Sequence, residues 1–119
     1  MKKTILLGIA LLLSTNQMPS YAQNAKDQEF LNHYRTVAAG QSHSALLINT
    51  LNQNPTGHIR LAQTLCNSLK KGKTERELMQ SWVSYWKNSS QEIVQAAVQS
   101  GNIMLTIAPK HYCPEFSSR

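Results

Sequence analysis

Two cysteines constrain the fold of this chain more than any other feature. Cys66 lies in the middle of residues 59–72, whose apolar side chains share one face of a predicted helix. Cys113 lies near the C-terminus, followed by Pro114. If the two sulfurs bond, the helix around Cys66 holds the C-terminal segment, and the crosslink contributes roughly 4 kcal/mol to stability. Two free thiols and a shared metal ion are the alternatives.

The N-terminus has the composition of a secretory signal peptide. Two lysines precede a nine-residue apolar run at residues 5–13, and Ser20 and Ala22 are the small residues that a signal peptidase recognises. A bilayer needs about 20 apolar residues, so this run is too short to span one. We therefore expect cleavage after residues 1–22 and an exported protein, periplasmic or extracellular, without a transmembrane anchor. A retained membrane anchor is the alternative.

Residues 23–119 are enough for one small domain, with a core at about 27–114. Export is consistent with a disulfide between the two cysteines, because exported proteins fold in an oxidising compartment. Without its first two lysines the chain has ten basic and six acidic residues, a net charge of +4. The basic residues are scattered except at 70–73, where a helix is expected to end and cations favour the helix dipole. We expect a monomer that binds no nucleic acid, although the basic cluster could instead contact an anionic envelope surface.

The apolar spacing predicts an all-α fold, a compact bundle of four to five short helices. The predicted helices cover residues 27–39, 45–51, about 56–71, about 75–87 and about 90–108. The second segment is short enough to be a strand, and we interpret it as a helix because its neighbours are helical. Gly72 is expected to adopt a left-handed conformation after the third helix. Small residues at Ala96, Ala97 and Gly101 would let another helix approach the last one closely.

Two capping boxes and one proline set the predicted ends of the last two helices. Thr74 with Glu77, and Ser89 with Glu92, have the spacing in which a hydroxyl and a carboxylate each bind a backbone amide at a helix N-terminus. Pro109 is expected to end the last helix, because proline lacks the amide hydrogen that a helix needs.

The fourth predicted helix carries the aromatic residues of greatest interest. Trp82 and Trp86 are four residues apart and share a face, whereas Tyr85 lies about 100° from Trp86, so the three cannot be equally buried. We expect Trp82 and Val83 in the core, with Tyr85 or Trp86 partly exposed. Large aromatic side chains also dominate binding hot spots, so Tyr85 and Trp86 are the candidate partner surface.

The sequence predicts no catalytic residue, metal ion or cofactor. Five of the six carboxylates that follow the signal peptide lie in predicted first helical turns, where capping accounts for them. Nucleophile-elbow, phosphate-loop and zinc-helix motifs are missing. We interpret the four histidines as exposed or capping residues. The alternatives are a metal or redox pair of His111 with Cys113, and a small metal- or histidine-dependent enzyme that uses His33, His58 or His111.

The chain resembles the bacterial domain of unknown function 732 (DUF732) family of small exported domains. The resemblance rests on Phe30 and Leu31 near the mature start, on residues 66–72, which place Leu69 and Gly72 after a cysteine, and on the closing residues 112–114. The matching segments extend over most of the mature chain, but only a few residues within it match. The resemblance implies a helical exported domain in which Cys66 is bonded to Cys113, and it implies no activity because the family is uncharacterised.

The leading hypothesis is a non-enzymatic exported module that binds a protein or an envelope component. Three features motivate it: no catalytic motif is recognisable, the fold is expected to be crosslinked, and one helix carries more aromatic residues than its core-facing side can bury. The alternatives are the histidine-dependent enzyme and a structural or stress protein of the envelope that has no small ligand.

Overall fold

A computed structural model describes residues 24–117 as five α-helices followed by one turn of 3-10 helix. The α-helices are α1 (Ala25–Ala39), α2 (Ser44–Gln53), α3 (Pro55–Lys70), α4 (Glu75–Trp86) and α5 (Gln91–Tyr112), and the 3-10 turn is Pro114–Phe116. Since no strand occurs between residues 24 and 117, the predicted all-α class is confirmed. The expected signal peptide at residues 1–22 lies outside the described residues.

The longest helix, α5, is the centre of the fold, because it packs against each of the other four α-helices. Its buried residues Met104 and Ile107 meet Phe30 and Tyr34 of α1 and Leu51 of α2 in the main core. The helix around Cys66, from which the sequence argument started, is α3, and it packs against this central helix. None of the helices described between residues 24 and 117 combines the length and hydropathy that a membrane span requires.

Helix α4 lies close against α5 at Gly101. A Cβ atom at this position would lie 2.8 Å from Met79 Sδ and 2.8 Å from Trp82 Cδ1, so the methionine and the tryptophan would both have to shift. The buried Ala97 lies one turn earlier on the same face. The predicted close approach of another helix at these small residues is therefore confirmed.

The disulfide joins the middle of α3 to the end of α5. Cys66 and Cys113 have Cα atoms 5.8 Å apart, within the usual range for a disulfide, and both are buried. Leu69 is buried beside them, and Leu65 and Phe116 pack against the pair. The predicted pairing is thus confirmed, and it closes a second, smaller apolar cluster beside the main core.

The prediction that Pro109 ends the last helix is wrong. Helix α5 continues to Tyr112 with Pro109 buried inside it, and the amide of Cys113 donates to the Pro109 carbonyl over 2.9 Å. A proline inside a helix costs about 3 kcal/mol, because a hydrogen bond is lost and the ring meets the preceding turn. The contacts of residues 111–113 with other helices offset this cost.

Only one of the two predicted capping boxes is present. The amide of Glu77 donates to Thr74 Oγ1 over 3.1 Å, and the amide of Thr74 donates to Glu77 Oε1 over 2.8 Å. The box predicted at Ser89 is wrong, because Ser90 is the extended capping residue and accepts from the amide of Ile93. The helix begins one residue later than expected, so an isoleucine occupies the position of the reciprocal carboxylate.

The turn between α3 and α4 follows the sequence prediction. Helix α3 ends at Lys70, and Gly72 has φ +99°, in the left-handed region where glycine is favoured. Lys70 lies in the last turn, as the charge argument predicted.

Candidate functional site

Helix α4 contributes no fully buried side chain to the domain. Its apolar residues Leu78, Met79, Trp82, Val83 and Trp86 are all partly exposed. The expectation that Trp82 and Val83 belong to the core is therefore wrong. The reason is that α4 packs mainly against α5, with Leu78 also against the apolar cluster at the disulfide, so much of its apolar face borders solvent.

Tyr85 and Trp86 form the most exposed aromatic pair of the described chain. Tyr85 is 53% exposed, the one exposed large hydrophobic residue between positions 24 and 117. Its ring stands edge-on to Trp86, with the ring centroids 5.2 Å apart and the planes at 84°. Such edge-to-face pairs are favourable, so the tyrosine is held in a defined position although it projects into solvent.

The two tryptophans differ in their hydrogen bonds. Trp82 Nε1 donates to the Ala97 carbonyl on α5. Trp86 Nε1 is shielded from solvent and has no hydrogen-bond partner among the described residues. A buried donor without an acceptor costs about 1–3 kcal/mol, so the C-terminal end of α4 is held by ring contacts rather than by polar ones.

A shallow apolar strip follows one flank of α4. Met79 and Val83 form its centre, Arg76 and Lys87 border its two ends, and two neutral polar residues, Gln80 and Ser84, complete it. The cationic residues are eleven positions apart, or about 16 Å along a helix. No acidic side chain lines the strip, so it combines apolar surface with positive charge.

Two histidines meet between α1 and α5, which sequence analysis did not predict. His33 Nδ1 and His111 Nε2 are 2.9 Å apart, a hydrogen bond in which one ring donates and the other accepts. The Phe30 ring stands edge-on to His111 at a centroid distance of 5.9 Å. Burial lowers the pKa of His111, and the nearby His33 and Lys110 lower it further, whereas Glu29 opposes them.

The third histidine of the enzyme hypothesis has other partners. His58 Nδ1 lies 2.9 Å from the Asn54 carbonyl, and its ring stands edge-on to Tyr34. Burial lowers the pKa of His58, and the hydrogen bond to Asn54 offsets part of this shift. Residues 24–117 contain no group of three or more His, Cys, Asp or Glu side chains that could hold a metal ion. The structure therefore joins two of the three histidines, and Cys113 is already bonded to Cys66 rather than paired with His111.

Asp27 has a role that its position in the first turn of α1 did not reveal. It is buried, with 4% of its surface exposed, and its carboxylate accepts a hydrogen bond from the Tyr112 hydroxyl. Burial and this carboxylate raise the pKa of Tyr112 far above its usual value. The bond links residues 85 positions apart, which explains why local sequence patterns could not indicate it.

Comparison with known proteins leaves the family open. No family model, curated protein or solved structure matches the chain. The resemblance to the DUF732 family stays a prediction, which rests on the residues around Cys66 and Cys113.

The histidine pair leads us to predict that the domain loses stability in mild acid. The folded state lowers the pKa of His111 below the unfolded value of about 6.5, so protonation favours the unfolded chain. The stability that neutral His111 contributes is present above about pH 6.5 and is lost as the pH falls through the pKa of His111 in the folded state. Urea unfolding of the wild type at pH 7.5 and 5.0 should show this loss.

A His111→Gln variant isolates this effect. It should lose less unfolding free energy than the wild type between the two pH values, with the remainder including the contribution of His58. An equal loss in the variant and the wild type would contradict the assignment to His111.

The tryptophans allow a second test. Trp82→Phe removes the hydrogen bond to Ala97, whereas Trp86→Phe removes a donor that has no partner. We predict that Trp82→Phe lowers the free energy of unfolding by about 1 kcal/mol more than Trp86→Phe does. Urea unfolding followed by circular dichroism measures both, and each variant serves as the control for the other. Equal losses would show that the two indole N–H groups are energetically equivalent.

Proposed function

We propose that this chain is an exported, non-enzymatic binding module and that its partner surface is the outer side of α4 around Tyr85 and Trp86. The observation that carries the proposal is the exposed Tyr85 ring, held in place against Trp86. Aromatic side chains of this kind give large contact area with little loss of conformational entropy on binding. The partner is a protein or another component of the cell envelope.

Positive charge on the other flank of α4 from Tyr85 supports an acidic partner that extends over the outer side of this helix. Arg76 and Lys87 border the apolar strip of α4 without a lining carboxylate, and the chain after residue 22 carries a formal charge of +4. Opposite charge on a partner would raise the association rate and orient the complex. Met79 and Val83 would supply the apolar contact between the two cations.

The architecture supports the same helix as the binding element. Helix α4 is attached mainly to α5 and contributes no buried side chain, whereas α1, α2, α3 and α5 all do. A surface that covers its apolar flank would therefore bury side chains that the monomer leaves partly exposed. This gain favours binding at α4 over the other helices.

The two alternatives have weaker support. The contact between His33 and His111 is the observation that favours a histidine-dependent enzyme, but a structural role, joining α1 to α5, explains it equally well. A purely structural envelope protein would not require an exposed Tyr85. Export itself, and membership of the DUF732 family, are part of the proposal.

Site-specific photo-crosslinking tests the partner surface. A benzophenone amino acid replaces Tyr85 in one variant and Gln95, an exposed residue of α5, in a matched control. Both variants are expressed with their N-terminal residues in cells that export the chain and are then illuminated. We expect a discrete adduct from position 85 that is at least several-fold stronger than any adduct from position 95.

The amount of adduct should also depend on charge. An Arg76→Gln, Lys87→Gln double variant with the crosslinker at position 85 should give less adduct, because an acidic partner would be attracted less. Equal labelling from positions 85 and 95, or no adduct from either, would contradict the proposed surface and favour the structural alternative.

A further inference from the structure

A separate apolar crevice lies where α3, α4 and α5 meet. It has a volume of about 120 Å³ and is lined by leucine side chains of all three helices, by Met79, Trp82 and Met104, and by Gly101 on α5. The polar side-chain groups of its lining are the hydroxyls of Thr64 and Ser68 and the indole N–H of Trp82. It is bounded by three helices, unlike the strip on the outer flank of α4.

The chemistry of the crevice selects against charged ligands. None of its lining residues carries a charge, and the Trp82 indole N–H is already bonded to the Ala97 carbonyl. An ion that entered would lose its hydration without gaining a counter-charge. A neutral ligand with apolar surface would meet carbon and sulfur atoms, with the Thr64 and Ser68 hydroxyls available to a single polar group.

The size of the crevice suits a ring or a short chain. A dry apolar cavity of about 150 Å³ in another protein accepts benzene or xenon, so a volume of about 120 Å³ is of the right order for a small apolar group. Two of the lining side chains are methionines, whose flexible thioethers adapt to ligands of different shape. Thr64 is exposed and Leu65 is partly exposed, so the crevice is accessible from the side of α3.

Helix α4 is also able to adjust around a ligand. Its substantial helix contacts are with α5 rather than with α3, so the α3 side of the crevice is bridged by side chains. Met79 and Trp82 contact Gly101 tightly from this helix. A rotation of the Met79 side chain would enlarge the crevice without breaking a hydrogen bond of the main chain.

We propose that this crevice binds a small neutral apolar ligand, an aromatic ring or a short alkyl chain, between α3 and α4 and above Gly101. The site does not include Tyr85, which is absent from the crevice lining, although Met79 borders both the crevice and the outer strip of α4. It assigns the domain a ligand class in addition to the proposed macromolecular partner.

Methionine methyl NMR tests this site directly. The chain has four methionines, of which Met1 and Met18 precede the domain and Met79 and Met104 line the crevice. The disulfide-bonded protein, labelled with ¹³C at its methionine methyl groups, is titrated with benzene and separately with 1-hexanol. The Met79→Leu and Met104→Leu variants assign the signals. We expect saturable shifts of both crevice methyl groups with at least one probe, with benzene identifying a ring site and 1-hexanol an alkyl site.

Two phenylalanine variants provide the control. Thr64→Phe places a ring at the crevice, whereas Gln63→Phe places the same ring on the adjacent exposed position, which does not line it. Thr64→Phe should weaken probe binding at least tenfold, and Gln63→Phe should leave it unchanged. Shifts that rise linearly without saturation for both probes, or equal affinities in the two variants, would overturn the proposal. Either result would leave the crosslinking test at Tyr85 unaffected.

Discussion

Three consecutive residues after Pro109 connect the end of α5 to two other helices. His111 bonds to His33 of α1, Tyr112 donates to Asp27 of α1, and Cys113 is crosslinked to α3. Each hydrogen bond contributes only modestly to stability, and the disulfide requires oxidising conditions. Together the three contacts hold a helical turn that the proline disfavours. Because α5 contacts all the other α-helices, the position of this turn fixes how α1 and α3 meet the core.

Helix α4 is attached to the domain in a different way. Helix α4 is held by its capping box, by the Trp82 bond to Ala97 and by its close approach to Gly101. The disulfide does not involve α4, and this helix contributes no buried side chain. Local stability varies across a structure, and binding elements are commonly drawn from its less stable parts. The domain thus combines a crosslinked end with a helix whose apolar flanks remain available, and both proposed sites lie on that helix.

Local sequence rules were sufficient for most of the fold. Apolar periodicity indicated the helices, the spacing of Thr74 and Glu77 indicated a real capping box, and Gly72 marked a left-handed turn. The same rules failed at Pro109, because a local preference of about 3 kcal/mol was outweighed by contacts with distant residues. They also misplaced a helix start by one residue at Ser90, since adjacent serines offer equivalent caps and only the backbone decides between them.

The candidate sites were predictable only in part. The aromatic residues of α4 were recognised from their spacing, and Tyr85 is indeed the exposed one. The His33–His111 and Asp27–Tyr112 bonds join residues 78 and 85 positions apart, so no local pattern could indicate them. The crevice was equally invisible, because its lining comes from three helices and its volume depends on how they pack.

The most direct test of this account is the unfolding free energy of a Cys66→Ala, Cys113→Ala double variant, with native-state hydrogen exchange at the amide of residue 113. We predict that the variant loses about 2–4 kcal/mol of unfolding free energy. Exchange at this amide, which donates to the Pro109 carbonyl, should accelerate relative to the wild type by a larger factor than exchange at amides in the middle of α5. Unchanged stability, with unchanged protection at residue 113, would contradict the claim that the crosslink holds the turn after the proline.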